Sequence, residues 1–241
     1  MLQCNRNILR RILENKNIES VLEIGSGKCS TRMIRDIIKK KHGFGISLED
    51  KKYWFKKMDF LCPGDKYGRV IKTNIICDGD RVFLQYKSEM KFDFILIDGP
   101  SVFQKINRKV YNHLMRYVSD KKYWINPYGS GMNSLHMLEY VSQFCKDDTI
   151  ILVDRRIPSV YHYLQKFMGT KEFSFFACAE EDAKVSKRVS EKAIKKEYRN
   201  SPEFEKNFIN LPTSDTVICR KDNNKINKFF EEIKIKFVPI I

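Results

Sequence analysis

Apolar residues recur along the chain in two rhythms, and the rhythms alternate. Ile8, Leu9, Ile12 and Leu13 share one helical face, which predicts a helix over Asn5–Lys16. Ser20–Ile24 reads as a short apolar strand ended by Gly25-Ser26-Gly27. Met33, Ile34, Ile37 and Ile38 predict a helix over Ser30–Lys41, followed by a strand at Gly43–Leu48 and a helix at Lys51–Phe60. Val70–Cys77 and Phe92–Ile97 read as strands, closed by Asp78-Gly79-Asp80 and Asp98-Gly99-Pro100. A helix at Asn133–Cys145, a strand at Thr149–Val153 ending at Asp154, and a helix at Val160–Met168 continue the pattern. Phe173–Cys178 and Thr216–Cys219 complete the strands, and Asn227–Phe237 predicts a last helix packed across a sheet edge.

Strands alternating with helices imply βαβ units, hence a mainly parallel sheet covered on both faces. Ile95-Leu96-Ile97 and Ile150-Ile151-Leu152-Val153 are continuously apolar, as strands buried on both sides are. The expected fold is α/β: a Rossmann-like, doubly wound, mostly parallel seven-stranded sheet with helices on both faces. Glu180–Arg199 is helical in composition but heavily charged, so a helical insertion is expected before the last strand. The whole chain, 1–241, then reads as one domain. Its parts are an N-terminal helix (1–17), a core (18–178), the insertion (179–215), and a last strand with a C-terminal segment (216–241).

Composition narrows the function classes. With 42% hydrophobic and 12% aromatic residues, the chain can bury a real core, which excludes global disorder. No apolar run reaches the roughly 18 residues of a membrane span. The segment Met1–Lys16 is too polar for a signal peptide, so a cytoplasmic location is expected. The seven cysteines are scattered with no C-x-x-C pair, and neither a zinc site nor a disulfide framework is expected. The formal charge of +15 attracts polyanions, but the excess is spread along the chain, which better fits a lysine-heavy surface.

Chemistry concentrates at predicted strand ends. Gly25-Ser26-Gly27, with Ser30-Thr31 opening the next helix, forms a turn through which backbone can approach a ligand. A dinucleotide fingerprint requires a third glycine where Ser30 stands, which disfavours a pyrophosphate. Glu23 is a carboxylate within a buried strand, which calls for a salt bridge or a cationic ligand group. Glu49, 22 residues beyond Gly27, is placed either to accept ribose hydroxyls or to start a helix. Asp98 and Asp154 end buried strands, where aspartate serves as a turn former or a site residue.

Leu22-Glu23-Ile24-Gly25-Ser26-Gly27, Ser30-Thr31, Ser47-Leu48-Glu49 with Trp54, and the Asp93–Pro100 run together resemble the class I S-adenosylmethionine-dependent methyltransferases. The resemblance covers roughly residues 18–168. It implies a methyltransferase whose cofactor is S-adenosylmethionine. Glu23, Gly25, Ser26 and Gly27 would line the methionine end, Ser30 would also touch the cofactor, Glu49 would hold the ribose, and Asp78, Gly79 or Asp80 would lie on the adenine side. Asp98 would lie beside the methyl group as the catalytic base, with His113 and His136 as lesser candidates. The family's metal-dependent members carry a second acid or an asparagine after the fifth-strand acid. Here Arg155-Arg156 follows Asp154, which argues against a metal and suits an anionic acceptor. Asn126-Pro127-Tyr128 lacks one proline of the amino-methylating N-P-P-Y run and reads as a loop. The expected acceptor is a small molecule or glycan, methylated on oxygen, with Ser101–Gly131 as a lid over it. The alternatives are an RNA or DNA methyltransferase and a non-catalytic binding protein of the same fold.

Overall fold

A computed structural model describes residues 6–78, 81–98, 140–153, 173–178, 216–220 and 222–239. The first half follows the expected alternation. Helix α1 (Arg6–Glu14), strand β1 (Ser20–Ile24), helix α2 (Ser30–Lys40), strand β2 (Phe44–Glu49) and helix α3 (Lys52–Leu61) succeed one another. They are followed by β3 (Gly68–Lys72), β4 (Ile75–Asp78), β5 (Arg81–Leu84), β6 (Phe92–Ile97) and β7 (Cys145–Val153). The described chain ends with β8 (Phe173–Cys178), β9 (Thr216–Arg220), α4 (Ile226–Ile233) and β10 (Phe237–Pro239).

The main sheet runs β10-β8-β9-β7-β6-β1-β2-β3. β1 lies parallel between β2 and β6, and the parallel order continues to β3 on one side and β7 on the other. β9 is antiparallel to both β7 and β8. This is a Rossmann-like, doubly wound arrangement. The chain winds outward from β1 in both directions, so a crevice opens between the C-terminal ends of β1 and its neighbours.

Both sheet faces are buried because strand residues alternate between two apolar clusters. Val21, Phe94 and Leu96 pack with α1, α2 and α4 through Ile8, Ile34 and Phe229. Leu22, Ile24, Ile95 and Ile97 face the other way, against Phe144 and Leu84. The N-terminal helix therefore belongs to the core, with all four of its stripe residues at most 1% exposed.

Several elements depart from the sequence pattern. The strand expected over Val70–Cys77 is two strands, because Thr73 bonds back to Glu49 and the chain then leaves the main sheet. β4 pairs with β5 as a separate antiparallel hairpin, so Asp78 ends a hairpin strand opposite Arg81 and not the third strand of the sheet. Cys145, expected in a helix, already pairs with Phe92 in β7, and a register shift follows between Phe92 and Phe94. The C-terminal helix stops at Ile233 because Lys234 turns left-handed at φ 54°. The chain then adds β10 as an eighth, antiparallel edge strand beside β8, with the Phe237 ring stacked 4.5 Å from Phe230. The helix at Val160–Met168 and the insertion at 179–215 lie outside the described residues.

Candidate functional site

Three strand ends meet at the glycine turn. Gly25 takes φ 86°, a left-handed conformation that penalises any side chain, and its N–H bonds Leu48 O at 2.9 Å. That bend carries Ser26 across to the end of β2. There Ser26 N and Ser26 Oγ both donate to Glu49 Oε2, at 3.1 and 2.6 Å. Lys51 N donates to the other oxygen, Oε1, at 2.8 Å. Glu49 is buried, and burial raises its pKa against the lowering effect of these donors.

Gly27 sits close against Ser30 and Asp98, and a side chain there would require the Ser30 hydroxyl to rotate aside. A Cβ there would lie 2.5 Å from Ser30 Oγ and 3.6 Å from an oxygen of Asp98. The end of β6 therefore closes against the turn, and Asp98 N continues the ladder by bonding Ile24 O at 2.9 Å. The turn also opens α2, since Thr31 N bonds Gly27 O at 3.0 Å.

Glu23 lies beneath the turn and is fully buried. A short relay reaches it: Gly27 N donates to Thr31 Oγ1 at 3.0 Å, and Thr31 Oγ1 donates to Glu23 Oε2 at 2.6 Å. Its second oxygen, Oε1, is buried and has no hydrogen bond of good geometry among the described residues, although the Ser30 and Ser47 hydroxyls are near enough to stabilise its charge. Burial pushes the carboxyl up to about 7; Ser30, Ser47 and Thr31 hydroxyls oppose the shift, and Glu49 adds to it. A buried carboxyl with an unmet oxygen is costly unless a donor or cation reaches it. The cluster can therefore hold a cationic group at Glu23 and hydroxyl donors at Glu49, with Asp98 at the rim as a proton acceptor.

Glu23, Gly25, Ser26, Gly27, Ser30, Glu49 and Asp98 come together at one edge of the sheet, Ser30 through the contact of its Oγ with Gly27 O at 3.5 Å. Asp78 sits on the β4–β5 hairpin. Gly79, Asp80, Asp154, Arg155, Arg156, His113, His136, the Asn126–Tyr128 segment and the lid at Ser101–Gly131 lie outside the described residues. Sequence reasoning missed the part played by Thr31. The signal was there: Thr31 is the second residue of the helix that the glycine turn opens, and its side chain faces back onto β1.

A cleft of about 660 Å³ opens at the opposite edge, where the strands begin, beside Ser20, Phe44, Asp93 and Lys146. Its polar groups serve one another: Asp93 accepts from Ser20 N, Ser20 Oγ and Lys146 Nζ. Among the described residues, no three His, Cys, Asp or Glu side chains converge as a metal ion would require. No described helix is long and apolar enough to cross a membrane.

No family model matches the chain, and no curated protein matches it. Solved structures resemble it at low identity. One is the O-methyltransferase from Bacillus cereus in complex with SAH, 12% identical, with 90% of this chain and 80% of that one covered and a TM-score of 0.48. Another is the SAH-bound Podospora anserina methyltransferase PaMTH1, 12% identical, covering 89% and 77%, at 0.41. PH0851 is 15% identical with a TM-score of 0.49; the match covers 75% of this chain but spans only 40% of that one. The fold assignment rests on the strand order itself.

Proposed function

We propose that the protein is an S-adenosylmethionine-dependent methyltransferase acting on a small-molecule or glycan acceptor, with oxygen as the methylated atom. The observation that carries this reading is the unmet Glu23 Oε1, fully buried beneath the Gly25–Gly27 turn and coupled through that turn to Glu49. A dinucleotide would place a pyrophosphate at the turn, where a buried carboxyl is repulsive. An amino-acid nucleoside brings an ammonium there instead, and two ribose hydroxyls suited to Glu49.

When bound, the cofactor supplies an electrophilic methyl group on a sulfonium sulfur. The chain's own residues do the rest. Glu23 and the turn from Gly25 to Gly27, closed by Ser30, hold the amino-acid end, and Glu49 grips the sugar. Asp78, on the hairpin beyond β3, would be the acid nearest the base side if that hairpin borders the site. Asp98 would hold the acceptor hydroxyl and accept its proton.

A nucleic-acid acceptor is the second reading. It is favoured by the charge of +15 and by α3, where Tyr53 and Phe60 are 70% and 84% exposed beside Lys56 and Lys57.

Calorimetry with S-adenosylmethionine and S-adenosylhomocysteine tests the cofactor. Both bind one per chain, and Glu49→Ala weakens both by about 10- to 100-fold, as loss of hydrogen bonds to a charged group does. Labelled methyl transfer to a panel of hydroxylated small molecules and glycans then finds the acceptor, and Asp98→Asn slows transfer while leaving binding intact. A wild-type protein that gives no heat and no thermal shift with either compound refutes the reading.

A further inference from the structure

We infer that the Ser26 hydroxyl occupies a ribose-hydroxyl position on Glu49 and must leave it when a ribose docks, so that Ser26 sets the affinity of the site by competing with its ligand. The inference rests on the cofactor reading above and names a property of that site which the reading does not require.

A carboxylate has about four lone-pair positions. In this structure three of Glu49's are used: Ser26 N and Ser26 Oγ on Oε2, and Lys51 N on Oε1. A ribose diol needs two, and the described residues leave one open. One donor therefore yields. The two backbone donors are fixed, Ser26 N by the bend at Gly25 and Lys51 N by its place at the N-terminus of α3. Only Ser26 Oγ can swing away, by rotation about one side-chain bond. The 2.6 Å hydroxyl bond satisfies a buried carboxylate until a diol takes its place, and its loss offsets part of the gain from the incoming diol.

Calorimetry on the full chain tests this with S-adenosylhomocysteine, adenosine and 2′,3′-dideoxyadenosine. Ser26→Ala lowers the Kd for the first two ligands by about 3- to 10-fold, the size of one ordinary hydrogen bond. It leaves the Kd for the dideoxy compound unchanged, because that ligand never claims the position. Ser26→Thr, which keeps a hydroxyl, stays near wild type, and Ser26→Gly serves if the alanine variant fails to fold. A serine that merely shapes the turn would give weaker binding on removal, or the same change for all three ligands; either result overturns the inference and leaves the cofactor reading standing. A wild-type protein that binds none of the three overturns both.

Discussion

Glu23 is the residue on which the electrostatics of the site turn. Its folded carboxyl titrates at about 7 and its unfolded one near 4.5. Between those values the folded state holds the extra proton, so stability falls as pH rises through the window and stays reduced above it. Glu23→Gln removes that titration. Denaturant unfolding of the ligand-free protein should show the variant gaining on wild type from pH 5 to pH 8 by up to about 3 kcal/mol, since each tenfold difference in proton affinity between the two states is worth about 1.4 kcal/mol. The same variant should bind S-adenosylhomocysteine more weakly, because an amide offers an ammonium no charge. A pH-independent difference between the two proteins would mean that Glu23 is ionised throughout. A stability cost at this residue is the expected signature of a group placed for a ligand.

At the scale of elements, the turn is precise because the helices around it are tied to one another and to the sheet. Lys41, just past α2, donates to Leu13 O in the last turn of α1 and to Asn15 O and Ile18 O in the loop that leads on to β1. Asn15 extends the tie to α4 through Glu232, at 2.8 Å. Lys41→Met keeps the apolar stem and removes the three donor contacts. We expect it to cost about 2 kcal/mol and to lower Tm by about 4–8 °C in a thermal melt. An unchanged Tm would show that water serves those carbonyls equally well. The β4–β5 hairpin and the short β10 are also element-scale results. Both arise where the chain leaves one pairing for another, at Thr73 and at Lys234, and neither leaves a distinct periodicity in the sequence.

For the molecule as a whole, the sheet winding places the site and the surface charge modulates what approaches it. The charge of +15 will draw RNA without selecting it. Binding of a short unstructured RNA should be weak at physiological salt, with a Kd of about 10⁻⁶ to 10⁻⁴ M. It should fall steeply as salt rises from about 50 to about 200 mM, with no methyl incorporated. Retention of tight RNA binding at high salt together with methylation of that RNA would transfer the acceptor assignment to nucleic acid, where the exposed rings of Tyr53 and Phe60 would serve as stacking platforms.

The order of strands and helices through β3, the strand β6, the apolar stripe of α1 and the location of the glycine turn were legible in the sequence, because periodicity and backbone permissiveness are local properties. Residues Glu23, Glu49 and Asp98 were visible as acids at or near strand ends for the same reason. Their states were not. That Glu23 lacks a partner for one oxygen, that Glu49 is shared with Ser26, and that Asp98 closes against Gly27 all depend on which strand lies beside which. Local pattern determined the elements and the candidate acids of this protein. Only the folding of β1 between β2 and β6 decided their burial, their hydrogen bonds and their charge, because desolvation and contact are set by neighbours distant in sequence.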